Sequence, residues 1–146
     1  MLDANNLRCI FINGSKNEKL DILECLKDQF DSFNKNIDYF DEFMNVLLEF
    51  SITESDTEVK IEVLEALSKA AVFQDINNIN FDKLIENLEN TPEECLSRCI
   101  DILSFTHKIN YLSIIKRYLD HQNPYVRESA AIAVKEILDY VEKNSR

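Results

Sequence analysis

Glycine is almost missing from this chain: Gly14 stands alone among 146 residues, beside two prolines and no tryptophan. One glycine cannot build the glycine-rich loop that wraps a phosphate, and so few turn-formers leave little chemistry for a series of tight β-hairpins. Runs of alternating β-branched residues are lacking as well, which removes the usual signature of a sheet. Cations are scarce too. Sixteen Lys and Arg face 27 Asp and Glu, a formal net charge of −11, whereas proteins that hold nucleic acid need cations to displace phosphate counterions. Direct nucleic-acid binding is therefore not expected. No apolar stretch is long enough to span a bilayer, and the opening residues carry an acid, Asp3, without a basic region or a small-residue cleavage site. The expectation is a cytoplasmic protein that does not engage a membrane.

What the chain does contain is helical periodicity. From Tyr111 to Ile137 it reads as two antiparallel helices and the turn between them. Ile114, Ile115, Tyr118 and Leu119 make an apolar stripe, Asn123 is placed to cap the next helix, and Pro124 sits at its first turn, where a missing N–H costs nothing. Val126, Ala130, Ala131, Val134 and Ile137 then recur every three or four residues, with small side chains that let a neighbouring helix approach. The same pattern is visible upstream. Leu20, Leu23, Leu26, Phe30 and Phe33 mark one amphipathic run, and Phe40, Phe43, Met44, Leu47 and Phe50 mark a second, with Asp38 near its start. Leu7 to Ile12 suits a short first helix stopped by Gly14. Phe81 to Leu88 is another brief helical run. Asn34–Asn36, Ile52–Ser55, Gln74–Asn80 and His107–Lys108 read as connections, and the residues after Glu142 as a loose end.

These residues carry a family resemblance. Asn123-Pro124-Tyr125-Val126-Arg127, followed by Ser129-Ala130-Ala131 and Val134, resembles the inter-helix turn and second helix of a HEAT repeat. Asp56-Thr57-Glu58-Val59-Lys60 with Val63, Leu64, Ala66 and Leu67 is similar without the proline, and Thr91-Pro92-Glu93-Glu94-Cys95 with Cys99, Ile100 and Leu103 is a fainter copy. Val59, Cys95 and Val126 fall in register at intervals of 36 and 31 residues, shorter than the roughly 40 residues of this repeat class. A lone helical pair buries one face only and must stack on neighbours. The fold expected is all-α: a single domain over residues 1–146, arranged as a short α-solenoid of about four antiparallel hairpins. The resemblance also implies that Asn123 and Arg127 are structural, tying repeats together. Tyr125 and Tyr140 suit either an interface or partly buried packing, and packing is the favoured reading.

Chemistry finds no foothold. Cys95 and Cys99 share a helical face, but they occupy the positions of Val126 and Ala130 in the clearest repeat and read as small core residues. A zinc site would need two further donors, and His107 and His121 have no Cys or His at ligand spacing. Ser, His and Asp form no nucleophile motif. Glu58, Glu62 and Glu65 do share a helical face, as paired carboxylates for acid–base work or a hard metal would, yet a solvated charge row is the commoner origin of that spacing. No enzyme activity, metal or cofactor is expected.

Charge is unevenly spread. Residues 1–37, 38–65, 66–106 and 107–146 carry −1, −8, −4 and +2. Within 38–65, nine acids are opposed by Lys60 alone. Such a field repels phosphate and favours encounter with a basic protein. The partner-binding surface expected comprises Glu58, Glu62 and Glu65, with Asp38, Tyr39, Asp41, Glu42, Glu54 and Asp56 around the turn, extended by Glu94 and Asp101. A small, acidic, HEAT-like chain of this kind resembles bacterial immunity proteins that neutralise polymorphic toxins, including those of contact-dependent growth inhibition systems. That resemblance implies a cognate toxin domain as partner, basic and in many cases a nuclease, whose active site is occluded by carboxylates. The competing expectation is a non-enzymatic HEAT-type scaffold or adaptor for a protein complex.

Overall fold

Local capping chemistry starts four of the α-helices. In the structure, a computed structural model describing residues 2–145, Asp3 accepts from the Asn6 N–H and Asn6 accepts in return from the Asp3 N–H, which opens α1 (Ala4–Asn13). Ser15 and Glu18 form the same reciprocal box at the start of α2 (Lys16–Phe30). Asp56 caps α4 (Thr57–Phe73) by accepting from the Glu58 and Val59 N–H groups. Asn123, with Pro124 behind it, caps the long α8 (Pro124–Asn144). Between these lie α3 (Phe40–Thr53), α5 (Asp82–Glu86), α6 (Glu93–Ser104), α7 (Leu112–Lys116) and two 3-10 turns, Leu88–Asn90 and Ile109–Tyr111. Among the described residues there is no strand, so the chain is all-α. None of its helices is long and apolar enough to cross a membrane.

The chain divides into two compact units, Met1–Lys83 and Leu84–Arg146. The division falls inside α5, at a point where the sequence offers no linker.

In the first unit α1 packs on α3 and α2 packs on α4, while α3 and α4 form an antiparallel pair. The core is built by Leu7, Leu23, Leu26, Phe30, Met44, Leu47, Val59, Val63 and Leu67, all essentially inaccessible to solvent. The Phe11 and Phe50 rings stack at 4.8 Å across the α1–α3 contact, and Phe30 meets Phe40 edge to face at 5.4 Å. Ion pairs follow the same stacking: Arg8 to Glu49, Lys19 to Glu54, Lys27 to Glu62 and Asp31 to Lys69, at sequence separations of 41, 35, 35 and 38 residues. These pairs thus join residues 35 to 41 positions apart in the chain.

In the second unit α6 and α8 form the main contact and α7 packs on α8. Cys95, Cys99, Ile100 and Leu103 of α6 and Val126, Ala130, Ala133 and Ile137 of α8 are fully or almost fully buried, so small residues on both helices allow close approach. Cys95 and Cys99 are core residues; Cys9 and Cys25 are exposed.

Several expectations are corrected. Phe33 is not part of α2, because that helix ends at Phe30, whose carbonyl is taken by the Gln74 side-chain amide; Phe33 is fully solvent-exposed. Asp38 does not cap α3, which begins after Tyr39 with no side-chain cap. On α8 the buried stripe runs through Ala133, leaving Ala131 exposed and Val134 half-buried. Tyr125 is 73% exposed rather than packed, and α8 continues helically past Glu142 to Asn144. The helix before Asn123 is short, since from Arg117 to Leu119 the backbone bonds run to the residue three back, the tighter 3-10 pattern. Gly14 does stop α1, but at φ −76°, not in the left-handed region. Its role is steric: a Cβ there would lie 2.5 Å from the Ile10 carbonyl oxygen that accepts its N–H.

Candidate functional site

The carboxylates singled out by sequence separate into two groups once the helices are stacked. Glu54 is the clear departure. Expected on a partner-binding surface, it is buried, with its side chain 7% exposed and held 2.8 Å from the Lys19 ammonium, while its second oxygen accepts from the Ser55 N–H. Asp56 and Glu58 share Lys16, at 3.2 and 3.7 Å. Glu62 lies 2.5 Å from Lys27, which also meets Glu24 at 3.0 Å. The row expected to be bare is therefore answered by lysines of α2, and Glu65, half-buried, is also engaged. These contacts shift the charges involved. The hydrogen bond to Asp56 holds Lys16 above the ordinary lysine value, and the same bond holds Asp56 below the ordinary carboxylate value. Lys27 is raised chiefly by its bond to Glu62.

Asp38, Asp41 and Glu42 differ. They are exposed and have no ion pair among the described residues. Asp41 and Glu42 occupy the first turn of α3, where they offset the positive end of the helix dipole. Tyr39, between them and Asp38, sits at φ 62°, a left-handed conformation uncommon for a non-glycine residue. Its ring is half-exposed and meets Phe43 edge to face at 6.3 Å. Glu94 and Asp101, both exposed, belong to α6 of the second unit.

Sequence reasoning missed the cavity beside Tyr39. It measures about 320 Å³ and is lined by residues from the end of α2 (Gln29), the following loop (Ser32, Asn34, Asn36, Asp38) and the start of α3 (Tyr39, Phe43), closed by Leu2 and Ile37. Local bonds shape the loop: Ser32 Oγ donates to the Gln29 carbonyl, the Asn34 N–H donates to Ser32 Oγ, and the Asn36 N–H donates to Asn34 Oδ1. The clustering of Ser and Asn over residues 32–36 was the available signal; it marks a turn without revealing the hollow the turn encloses. In the second unit a shallower depression of about 430 Å³ lies among Leu96, Tyr118 and His121. Burial raises the Tyr118 phenol above its ordinary value there.

Among the described residues no cluster of three or more His, Cys, Asp or Glu is arranged to hold a metal. Comparison with known proteins finds no matching family, no matching curated protein and no matching solved structure. The site is accordingly read from its own geometry.

Proposed function

We propose that this chain is a HEAT-like helical-repeat protein that binds a basic protein partner and performs no chemistry of its own, the partner being a toxin domain whose active site it occludes in the cytoplasm. Two features support the repeat reading: odd with odd and even with even stacking of α1 to α4 in the first unit, and ion pairs spaced 35 to 41 residues apart. The observation that carries the binding reading is the exposure of Asp38, Asp41 and Glu42, which have no ion pair among the described residues, next to the half-exposed Tyr39 ring. Carboxylates without local counterions attract and orient a cationic partner, and aromatic side chains supply contact area with little loss of rotamer freedom. The toxin-neutralising role itself rests on the resemblance of a small acidic HEAT-like chain to immunity proteins.

The test is co-expression with the variable C-terminal domain of a large secreted protein encoded beside this chain. Growth rescue by the wild type, and its loss in Asp41→Lys with Glu42→Lys at unchanged helical circular dichroism, is the expected result. Failure of the wild type to bind or rescue would remove the toxin reading. A scaffold role is the second reading, favoured by Tyr125 and Ile132, which lie seven residues apart on one face of α8 and are 73% and 56% exposed. In that case the captured partner should contact α8 and survive the α3 charge reversal.

A further inference from the structure

The cavity at the α2–α3 loop has a chemical character that the acidic surface alone does not. Its wall carries the side-chain amides of Gln29, Asn34 and Asn36, one carboxylate at Asp38, and the rings of Tyr39 and Phe43. Among the described residues none that lines it is cationic. The one lysine of the loop, Lys35, is drawn away, its ammonium bound to the Phe73 carbonyl, and Lys69 is occupied by Asp31. Gln29 belongs to the last turn of α2, whose electronegative end is offset by Lys27, and the positive end of α3 is offset by Asp41 and Glu42, so the charge of the lining rests on Asp38. The Asp38 carboxylate and the aromatic surface favour a cation.

Shape narrows the choice. A hollow of about 320 Å³ is at the small end of ligand-sized pockets. Its acceptors are spread around the wall: a carboxylate with two oxygens and three amides with one oxygen each. A planar guanidinium offers five donors in a rigid fork, stacks on an aromatic face, and carries an aliphatic stem suited to the apolar lining residues Phe43 and Ile37, whereas an ammonium is a strongly hydrated point charge. We propose that this cavity is an arginine-binding pocket that receives a guanidinium side chain from the basic partner. The inference rests on the reading of the chain as a binder of basic proteins and specifies which side chain anchors the contact. Tyr39, at φ 62°, is a lining residue whose half-exposed ring offers a face on which a guanidinium could stack.

The test needs no partner protein. Titrating the full chain with Nα-acetyl-arginine amide and following 15N-resolved amide signals places reporters in the pocket itself, because the side-chain NH2 groups of Gln29, Asn34 and Asn36 are directly visible. Saturable shifts centred on these groups, with Kd on the order of 1 mM, are expected. The neutral isostere Nα-acetyl-citrulline amide and the Asp38→Asn variant should each bind about tenfold more weakly. Among the described residues Asp38 makes no hydrogen bond or ion pair that its replacement would break, and an unchanged circular dichroism spectrum of the variant checks that it stays folded. Equal binding of the citrulline compound, equal binding of the lysine analogue, unaltered affinity in Asp38→Asn, or shifts centred on the α4 acids would each overturn the assignment. If the pocket titrates as expected while the toxin domain is not bound, the pocket stands and the partner reading falls. If the toxin domain is bound equally by Asp38→Asn, the partner reading stands and the pocket's part in it falls.

Discussion

Lys19 and Glu54 meet at 2.8 Å with side chains only 17% and 7% exposed, which joins α2 to the turn before α4. Removing one member leaves the other charge partly buried without its counterion, and that is more costly than the pair itself is stabilising. Glu54→Ala should lower unfolding free energy by about 2 kcal/mol, read from the urea midpoint. The double variant Lys19→Met, Glu54→Leu should recover most of the loss, since apolar groups of similar length need no partner.

Acid and alkaline limbs of the stability profile should both report the α2–α4 ion pairs. Asp56 has a folded value below its unfolded one, so its contribution is complete above about pH 4 and disappears as pH falls through the lowered folded value. Lys16 and Lys27 have raised folded values; their contribution is complete below about pH 10.4 and disappears as pH climbs through the raised ones. Urea midpoints measured across pH should show a plateau falling at both ends. Asp56→Asn, which retains a good N-cap residue, should flatten the acid side.

How much of this was legible beforehand depends on the distance over which a residue acts. The helix start at Asn123 follows from a side chain two positions from the group it bonds, and the all-α class follows from apolar spacing within single helices. Charge was a different matter. Counting acids along segments put −8 into residues 38–65, but the lysines answering them lie on α2, about 35 to 42 positions away along the chain. Stacking joins what linear windows keep apart. Asp38, Asp41 and Glu42 precede or begin α3, are exposed, and take no part in the ion pairs with the α2 lysines. The cavity was illegible because its walls come from two helix ends and a loop.

Gly14 should tolerate no side chain. A Cβ would lie 2.5 Å from the Ile10 carbonyl oxygen, a backbone atom fixed by α1, so either the Gly14 N–H bond to that oxygen or the helix end must give. Gly14→Ala should destabilise by about 1–3 kcal/mol, a loss that thermal melting would register, even though φ at this position suits any residue.

His107 adopts φ 55° while its ring stacks on Tyr140 at 4.1 Å and its Nε2 lies 3.1 Å from Glu136. Asparagine tolerates the left-handed region nearly as well, so His107→Asn isolates the ring's contribution. A loss of about 0.5–1.5 kcal/mol is expected in urea unfolding. An equal loss in Tyr140→Ala, with no further loss in the double variant, would identify the stack as its source.

The four cysteines divide by unit: Cys9 and Cys25 lie open on α1 and α2, whereas Cys95 and Cys99 are sealed inside the α6–α8 core. A maleimide reagent would thus tag the first two at once and reach the others only when α6 lifts away from α8. Mass spectrometry of tagged protein over time then gives the chain an internal stopwatch, timing how often its C-terminal half breathes.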